Sequence, residues 1–162
     1  MPFLSSGIFY QIVHGIACSI CRATTKEKPD QFLPTSSKEI SWKDLYAKLA
    51  VMFPEAQIYL SHFTYKLASW DDIALFLAYD ETDEIEYQED RYMCGSFALR
   101  LMGQFSIPGW ADLTFGVVET HVHRLNCFID ENGKFYYIEP QTDNRENKLL
   151  AWQGSKVKYI IM

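Results

Sequence analysis

The sequence contains little of what several common protein classes require. Its 162 residues include 15 Lys and Arg against 21 Asp and Glu, a formal net charge of −6. It therefore lacks the clustered cations with which proteins contact nucleic-acid phosphates or anionic membranes. No stretch approaches the ~20 apolar residues of a membrane-spanning helix. The four cysteines do not form the disulfide framework of a small secreted protein. We expect no nucleic-acid or membrane partner and a reducing, cytoplasmic location.

The beginning of the sequence has no Lys or Arg before Arg22, whereas a secretory signal peptide carries a basic region. Its apolar residues recur at helical spacing over Ile8–Ile20, which predicts an amphipathic helix packed on the domain. His14, Cys18 and Cys21 share one face of that helix and suggest a metal site as an alternative. Two cysteines three residues apart lack the second pair that a zinc site normally needs, so we interpret them as ordinary packed residues.

Apolar and aromatic residues are abundant, at 48% and 15% of the chain, which is enough to build the core of one domain. Helical spacing prevails in the earlier part, where Ser41 and Ser69 have the character of helix N-caps. Strand-like alternation follows over 113–118, 122–129, 134–139 and 157–161. Helices followed by an antiparallel sheet predict an α+β fold. We expect a single domain over 1–162, with an N-terminal helix and loop over 1–38 and the core over 39–162.

Cys94 stands where an acidic stretch, residues 80–90, meets an apolar helical pattern. The first turn of a helix favours the thiolate, because the helix dipole and free backbone N–H groups stabilise an anion. A thiolate is the form that nucleophilic catalysis requires. The backbone N–H of Gly95 and the side chain of Gln88 are candidates for stabilising an oxyanion. A buried structural cysteine is the alternative interpretation of Cys94.

A hairpin turn is predicted at Asp-Glu-Asn-Gly-Lys, residues 130–134. In a three-residue loop Asp130 pairs with Lys134, and Gly133 takes the left-handed position. A two-residue Asn-Gly turn is the alternative and shifts the register by one residue. The three-residue loop pairs β-branched Ile129 with aromatic Phe135, a combination that mildly favours it.

The three-residue loop makes His123 and Glu139 diagonal neighbours on one sheet face, ~7–8 Å apart at Cα. A carboxylate beside an imidazole fixes the tautomer of the ring, which is the arrangement of catalytic triads. That face is otherwise apolar, so we expect it to pack on the helix of Cys94. His121 competes for the role of base, and we interpret it as a solvated residue at the strand mouth.

Two further residues are candidates for supporting this site. Gln141 lies opposite His123 in the predicted register. Trp110 is a candidate aromatic wall that shields the ion pair, with a core tryptophan as the alternative interpretation.

Three segments carry a resemblance to a known family. They are Asp90–Ala98, His123–Asn126 and Tyr137–Thr142. These segments resemble the papain-like protease domain of the Marasmius oreades agglutinin family, and the Glu-Pro-Gln-Thr block is the most specific part. The resemblance implies a papain- or transglutaminase-like core in which Cys94 is the nucleophile, His123 the base and Glu139 the orienting acid. The lectin half of that family has no counterpart in this sequence, so no sugar binding is implied.

Calcium is the one cofactor that the resemblance implies, because the activity of the fungal member depends on it. The residues of this sequence require no cofactor. Glu89 and Asp90 are weak candidates as ligands, since hard cations prefer carboxylate oxygens.

We predict from these patterns a cysteine peptidase or acyl-transfer enzyme that acts on an amide or ester carbonyl of a peptide or protein. The alternative is a papain-like binding or scaffold module without efficient catalysis. Met93, Gly95 and Ser96 favour the alternative, because relatives often carry acidic residues beside the cysteine. The sequence leaves the oligomeric state open.

Overall fold

The computed structural model of the protein describes residues 33–154 and 156–162. The helices of this part are α1 (Trp42–Met52), α2 (Trp70–Leu77) and α3 (Cys94–Phe105). The strands are β1 (Glu39–Ser41), β2 (Gln57–Tyr59), β3 (Thr64–Lys66), β4 (Phe115–Thr120), β5 (Arg124–Ile129), β6 (Phe135–Glu139), β7 (Asn144–Glu146) and β8 (Val157–Ile161). A 3-10 turn, η1 (Ala151–Gln153), precedes β8. The predicted first helix, with His14, Cys18 and Cys21, lies outside the described residues.

The described strands form two sheets. The larger has six strands in the order β2-β8-β4-β5-β6-β7, and the smaller pairs β1 with β3. β2 runs parallel to β8, while the other neighbouring strands of the large sheet are antiparallel. The sheet is therefore mixed, and one of its edges comes from the earlier part of the chain.

The predicted α+β fold class, a papain- or transglutaminase-like core with helices first and an antiparallel sheet afterwards, is wrong. The described part is built on a mixed six-stranded sheet with three short helices, and β1 precedes the first of them. The error has a physical cause. An amphipathic helix marks the sequence with a regular stripe of apolar residues, whereas the three residues of β1, β2 or β3 are too few to show alternation.

The predicted starts of two helices are confirmed. The Ser41 hydroxyl accepts a hydrogen bond from the backbone N–H of Asp44 at 3.2 Å, and Ser69 does the same for Asp72 at 3.0 Å. Each cap satisfies a backbone donor that the first helical turn leaves without an internal partner.

The core lies on both faces of the large sheet. On one face, which we call the α1 side, strand residues pack on Leu45 and Leu49 of α1. On the other, the α3 side, strand residues pack on α2 and α3 through Phe76, Leu101 and Phe105. Both faces of β5 and β6 are therefore buried, which explains why these strands are apolar at consecutive positions.

The β5–β6 hairpin has the three-residue loop that the sequence favours. Ile129 pairs with Phe135, and the backbone N–H of Asp130 donates to the carbonyl of Lys134 at 2.9 Å. Gly133 has a φ of 75°, a conformation that glycine adopts without steric cost. The register of this hairpin sets which side chains meet at its open end.

Candidate functional site

The predicted contact between His123 and Glu139 is confirmed. Nε2 of His123 lies 2.7 Å from Oε2 of Glu139, and the two side chains are only 8% and 10% exposed. His123 lies in the turn between β4 and β5, directly before the first residue of β5, and Glu139 is the last residue of β6. The register of the β5–β6 hairpin therefore brings together side chains at two strand ends. A buried carboxylate is costly unless it is paired, and the His123 ring supplies that partner.

Thr120 holds the turn that presents His123. The backbone N–H of His123 donates to Oγ1 of Thr120 at 3.0 Å, and the backbone N–H of Thr120 donates to the His123 carbonyl at 2.9 Å. The Thr120 hydroxyl also hydrogen-bonds to the carbonyl of Gln153. One threonine therefore ties the histidine turn to the 3-10 turn η1.

Trp152 lies against His123, and sequence reasoning did not single it out. It is 58% exposed, and its ring centroid lies 4.7 Å from that of His123. The turn that carries it is closed by a hydrogen bond from the Leu150 backbone N–H to the Gln153 side chain at 2.7 Å. No periodicity links residue 152 to residue 123, because a tether through Thr120, and not a strand register, brings them together.

Cys94 is the first residue of α3 and is half-buried. The start of α3 lies close to the start of β5, since a Cβ added at Gly95 would stand 3.1 Å from Nη1 of Arg124. Within residues 33–154 and 156–162, the Cys94 thiol makes no hydrogen bond with His123. The assignment of Cys94, His123 and Glu139 to one site stays a prediction.

The expectation that the face bearing His123 and Glu139 packs on the helix of Cys94 is wrong. Glu139 shares a face of β6 with Tyr137 and Phe135, because side chains two residues apart point the same way, and these two belong to the α1 side. α3 packs on the other face, where the Asn126 side chain donates to the Ala98 carbonyl at 2.9 Å. Because β5 and β6 are buried on both faces, their apolar pattern did not indicate which face α3 covers.

The predicted oxyanion stabilisation by Gln88 and Gly95 stays a prediction, but the structure shows what surrounds Gly95. Its missing side chain leaves room for the Arg124 guanidinium, whose Nε donates to Oε2 of Glu119 at 2.8 Å. The pair places one positive and one negative group beside the first turn of α3.

The acidic segment before α3 is exposed along most of its length. Gln88, Glu89 and Asp90 are exposed, and Gln88 makes a backbone turn with Tyr92 at 2.8–3.0 Å. Asp80 is the exception, since burial raises the pKa of its carboxyl above the ordinary value. Across the part of the chain that the structure describes, no three His, Cys, Asp or Glu residues are grouped so as to hold a metal ion.

Three predicted site residues remain. Trp110 is 1% exposed and packs on Phe76 and Phe105 in the core of the α3 side, so it does not shield the pair. His121 is exposed, as predicted, and Gln141 is half-buried in the turn after β6.

No helix among the described residues is long and apolar enough to cross a membrane.

No family model matches the chain, and no curated protein matches it either. Solved structures do share its fold. The PSL1a–E64 complex superposes with a TM-score of 0.65 at 18% identity, covering 76% of this chain and 50% of that chain. Polyporus squamosus lectin bound to the human-type influenza-binding epitope Neu5Acα2-6Galβ1-4GlcNAc gives a TM-score of 0.62 at 18% identity, covering 76% and 49%. The chain spans about half the length of these structures.

These neighbours, structures of Polyporus squamosus lectin, share the fold of this chain, and they speak against the predicted activity. Two structures that share this sheet-rich fold are those of a lectin, one in complex with E64 and the other with a bound glycan. The prediction of a cysteine peptidase or acyl-transfer enzyme, a thiol hydrolase with a peptide or protein substrate, is therefore wrong. The sequence pattern predicted a contact between His123 and Glu139, and a contact between two side chains does not by itself define a reaction.

Proposed function

We propose that this domain binds a carbohydrate on the surface formed by Trp152 and His123. The observation that carries the proposal is the exposed Trp152 indole, held 4.7 Å from an imidazole that Glu139 holds in place. The lectin that shares the fold was solved with a bound trisaccharide. The proposal develops the alternative of a binding module that the sequence left open.

The chemistry of the surface suits a sugar. A pyranose has an apolar C–H face and a rim of hydroxyl groups, and a tryptophan ring offers a large, flat apolar surface for such a face. Glu139 contributes a polar acceptor, because its Oε1 is buried without a hydrogen-bond partner among the described residues. A buried carboxylate oxygen without a partner costs free energy, which a ligand hydroxyl that reaches it would offset.

The surface formed by Trp152 and His123 is preorganised. The hydroxyl of Thr120 links the turn of His123 to the turn of Trp152, so the two rings are held in place before a ligand arrives. Preorganisation raises affinity, because less conformational entropy is lost on binding. In this proposal His123 and Glu139 belong to the border of a ligand site and do not carry a reaction.

Glycan binding by the full chain tests the proposal. Wild-type protein is applied to immobilised Galβ1-4GlcNAc and Neu5Acα2-6Galβ1-4GlcNAc, and affinities are measured by surface plasmon resonance. Trp152→Ala is expected to lower affinity by about tenfold. Trp42→Ala is the matched control, since Trp42 is also partly exposed, at 39%, but belongs to α1.

Two results would contradict the proposal. One is equal glycan binding by wild type and Trp152→Ala, with both proteins folded by circular dichroism. The other is an absence of glycan binding together with peptide hydrolysis that Cys94→Ala abolishes. The cytoplasmic location and the single domain over 1–162 remain predictions beside this proposal.

A further inference from the structure

A cavity of about 260 Å³ opens near the end of α3, away from the Trp152 surface. Its floor is aromatic: the Phe105 ring stacks on that of Phe115 with centroids 3.8 Å apart, and Trp110 meets Phe105 edge-on at 5.8 Å. These three residues are at most 5% exposed. The rim consists of exposed residues, among them Ser61, Ser106 and Ala111.

The side chains that line the cavity offer no ionic partner to a charged ligand. Among the described residues that form it there is no Asp, Glu, Lys or Arg, and His62 at the exposed rim is the one titratable side chain. Transfer of a charge onto an apolar floor without a partner is strongly unfavourable. The occupant is therefore an uncharged molecule with a flat apolar body.

The two rim hydroxyls define the polarity of that molecule. Ser61 Oγ donates to the main-chain oxygen of Met162 at 2.9 Å, and Ser106 Oγ donates to the carbonyl of Met102 at 3.0 Å. A serine hydroxyl has one proton and two lone pairs. Because both protons are engaged, these hydroxyls are left to act as acceptors, and a matching ligand must donate.

We propose that this cavity binds a small, uncharged, planar aromatic molecule that carries an N–H or O–H donor, of the indole or phenol class. Its volume exceeds the ~150 Å³ of a cavity that holds benzene and is below the ~300–1,000 Å³ of drug-sized sites. One bicyclic ring fits this range. The proposal is independent of carbohydrate binding at Trp152.

Indole and benzofuran form a matched pair of probes, because they have nearly the same shape and only indole has an N–H donor. Isothermal titration calorimetry on the full chain is expected to give a dissociation constant for indole on the order of 0.1–1 mM. Benzofuran is expected to bind about fivefold more weakly, the usual effect of one lost hydrogen bond. Ser106→Ala is expected to weaken indole binding about fivefold and to leave benzofuran binding unchanged.

Ala111→Trp is designed to close the rim without altering the buried floor, and it is expected to abolish binding of both probes. Ala47→Trp is the control, since Ala47 is exposed on α1, at the other face of the sheet. Indole binding that survives in Ala111→Trp, or equal binding of indole and benzofuran, would overturn the proposal. So would the absence of saturable indole binding by wild type. Ala111→Trp leaves Trp152 untouched, so retained glycan binding by this variant separates the two proposals.

Discussion

His123 and Glu139 meet beyond the last backbone pair of the β5–β6 hairpin. Pairing of the two strands extends to Asn126 and Ile138, and the contact between Nε2 of His123 and Oε2 of Glu139, at 2.7 Å, continues the hairpin through side chains. The pair therefore joins the open ends of the strands where the backbone ladder stops. Because both side chains are buried, removal of either one leaves the other without a partner and away from water.

Glu139→Ala is expected to lower the free energy of unfolding by about 3 kcal/mol, because it leaves the imidazole buried without its partner. Urea denaturation followed by circular dichroism measures the change. Glu55→Ala is the control, since the ion pair of Glu55 with Lys156 is exposed, at 69% and 61% of the two side chains, and surface pairs contribute little. An equal decrease in the free energy of unfolding in Glu139→Ala and Glu55→Ala would contradict the prediction that the buried pair contributes more than the exposed one.

Gly116→Ala is expected to destabilise the protein by about 2–3 kcal/mol. A Cβ at residue 116 would stand 2.0 Å from the carbonyl oxygen of Ile161, so β4 and β8 must move apart. Gly103→Ala is the matched substitution in α3, where an added Cβ meets nothing within 4 Å. It is expected to stabilise by about 0.5–1 kcal/mol, because alanine is the better helix former. Thermal unfolding of the two variants should therefore shift in opposite directions.

Cys94 is expected to react with iodoacetamide in the native protein, while Cys127 reacts only after unfolding. Cys127 is 0% exposed, and burial raises the pKa of its thiol far above the ordinary value. Cys94 is half-buried at the start of α3. Peptide mapping by mass spectrometry with and without urea locates the label, and labelling of Cys127 in the folded protein would show that the core opens.

Tyr137 is expected to titrate later than an exposed tyrosine, because burial raises its pKa to about 12. A raised pKa means that the folded state holds the proton more tightly than the unfolded state. The stability from this group is complete below pH ~10 and is lost as the pH rises toward 12, by up to ~3 kcal/mol. Tyr137→Phe should remove this part of the pH dependence, which urea denaturation at pH 9 and 11 measures. If the free energy of unfolding changed equally between pH 9 and 11 in wild type and Tyr137→Phe, the raised pKa of Tyr137 would be refuted.

The hairpin shows how far a local pattern extends. The Asp-Glu-Asn-Gly-Lys segment and the pairing of Ile129 with Phe135 were enough to predict the register, and the register alone predicted that His123 meets Glu139. The serine caps likewise marked where α1 and α2 begin. Each of these features depends on residues close in sequence or joined by one turn, which is why spacing reveals them.

The fold class and the site as a whole did not follow in this way. β2 pairs with β8 across about one hundred residues, and three-residue strands carry no readable alternation. Trp110, which we predicted as a candidate wall of the site, lies in the core. Trp152, which no sequence pattern marks, lies against His123.

The sequence by itself determined the local elements of this protein: the capped helices, the three-residue hairpin loop and the partnership of His123 with Glu139. Only the tertiary structure decided which sheet face α3 covers, that Trp152 stands beside His123, and that the cavity at the end of α3 is lined without charge. The reason is physical. Local hydrogen bonds and strand registers repeat at fixed spacings that a sequence displays, whereas contacts between distant segments depend on how two apolar faces of one sheet are shared among helices.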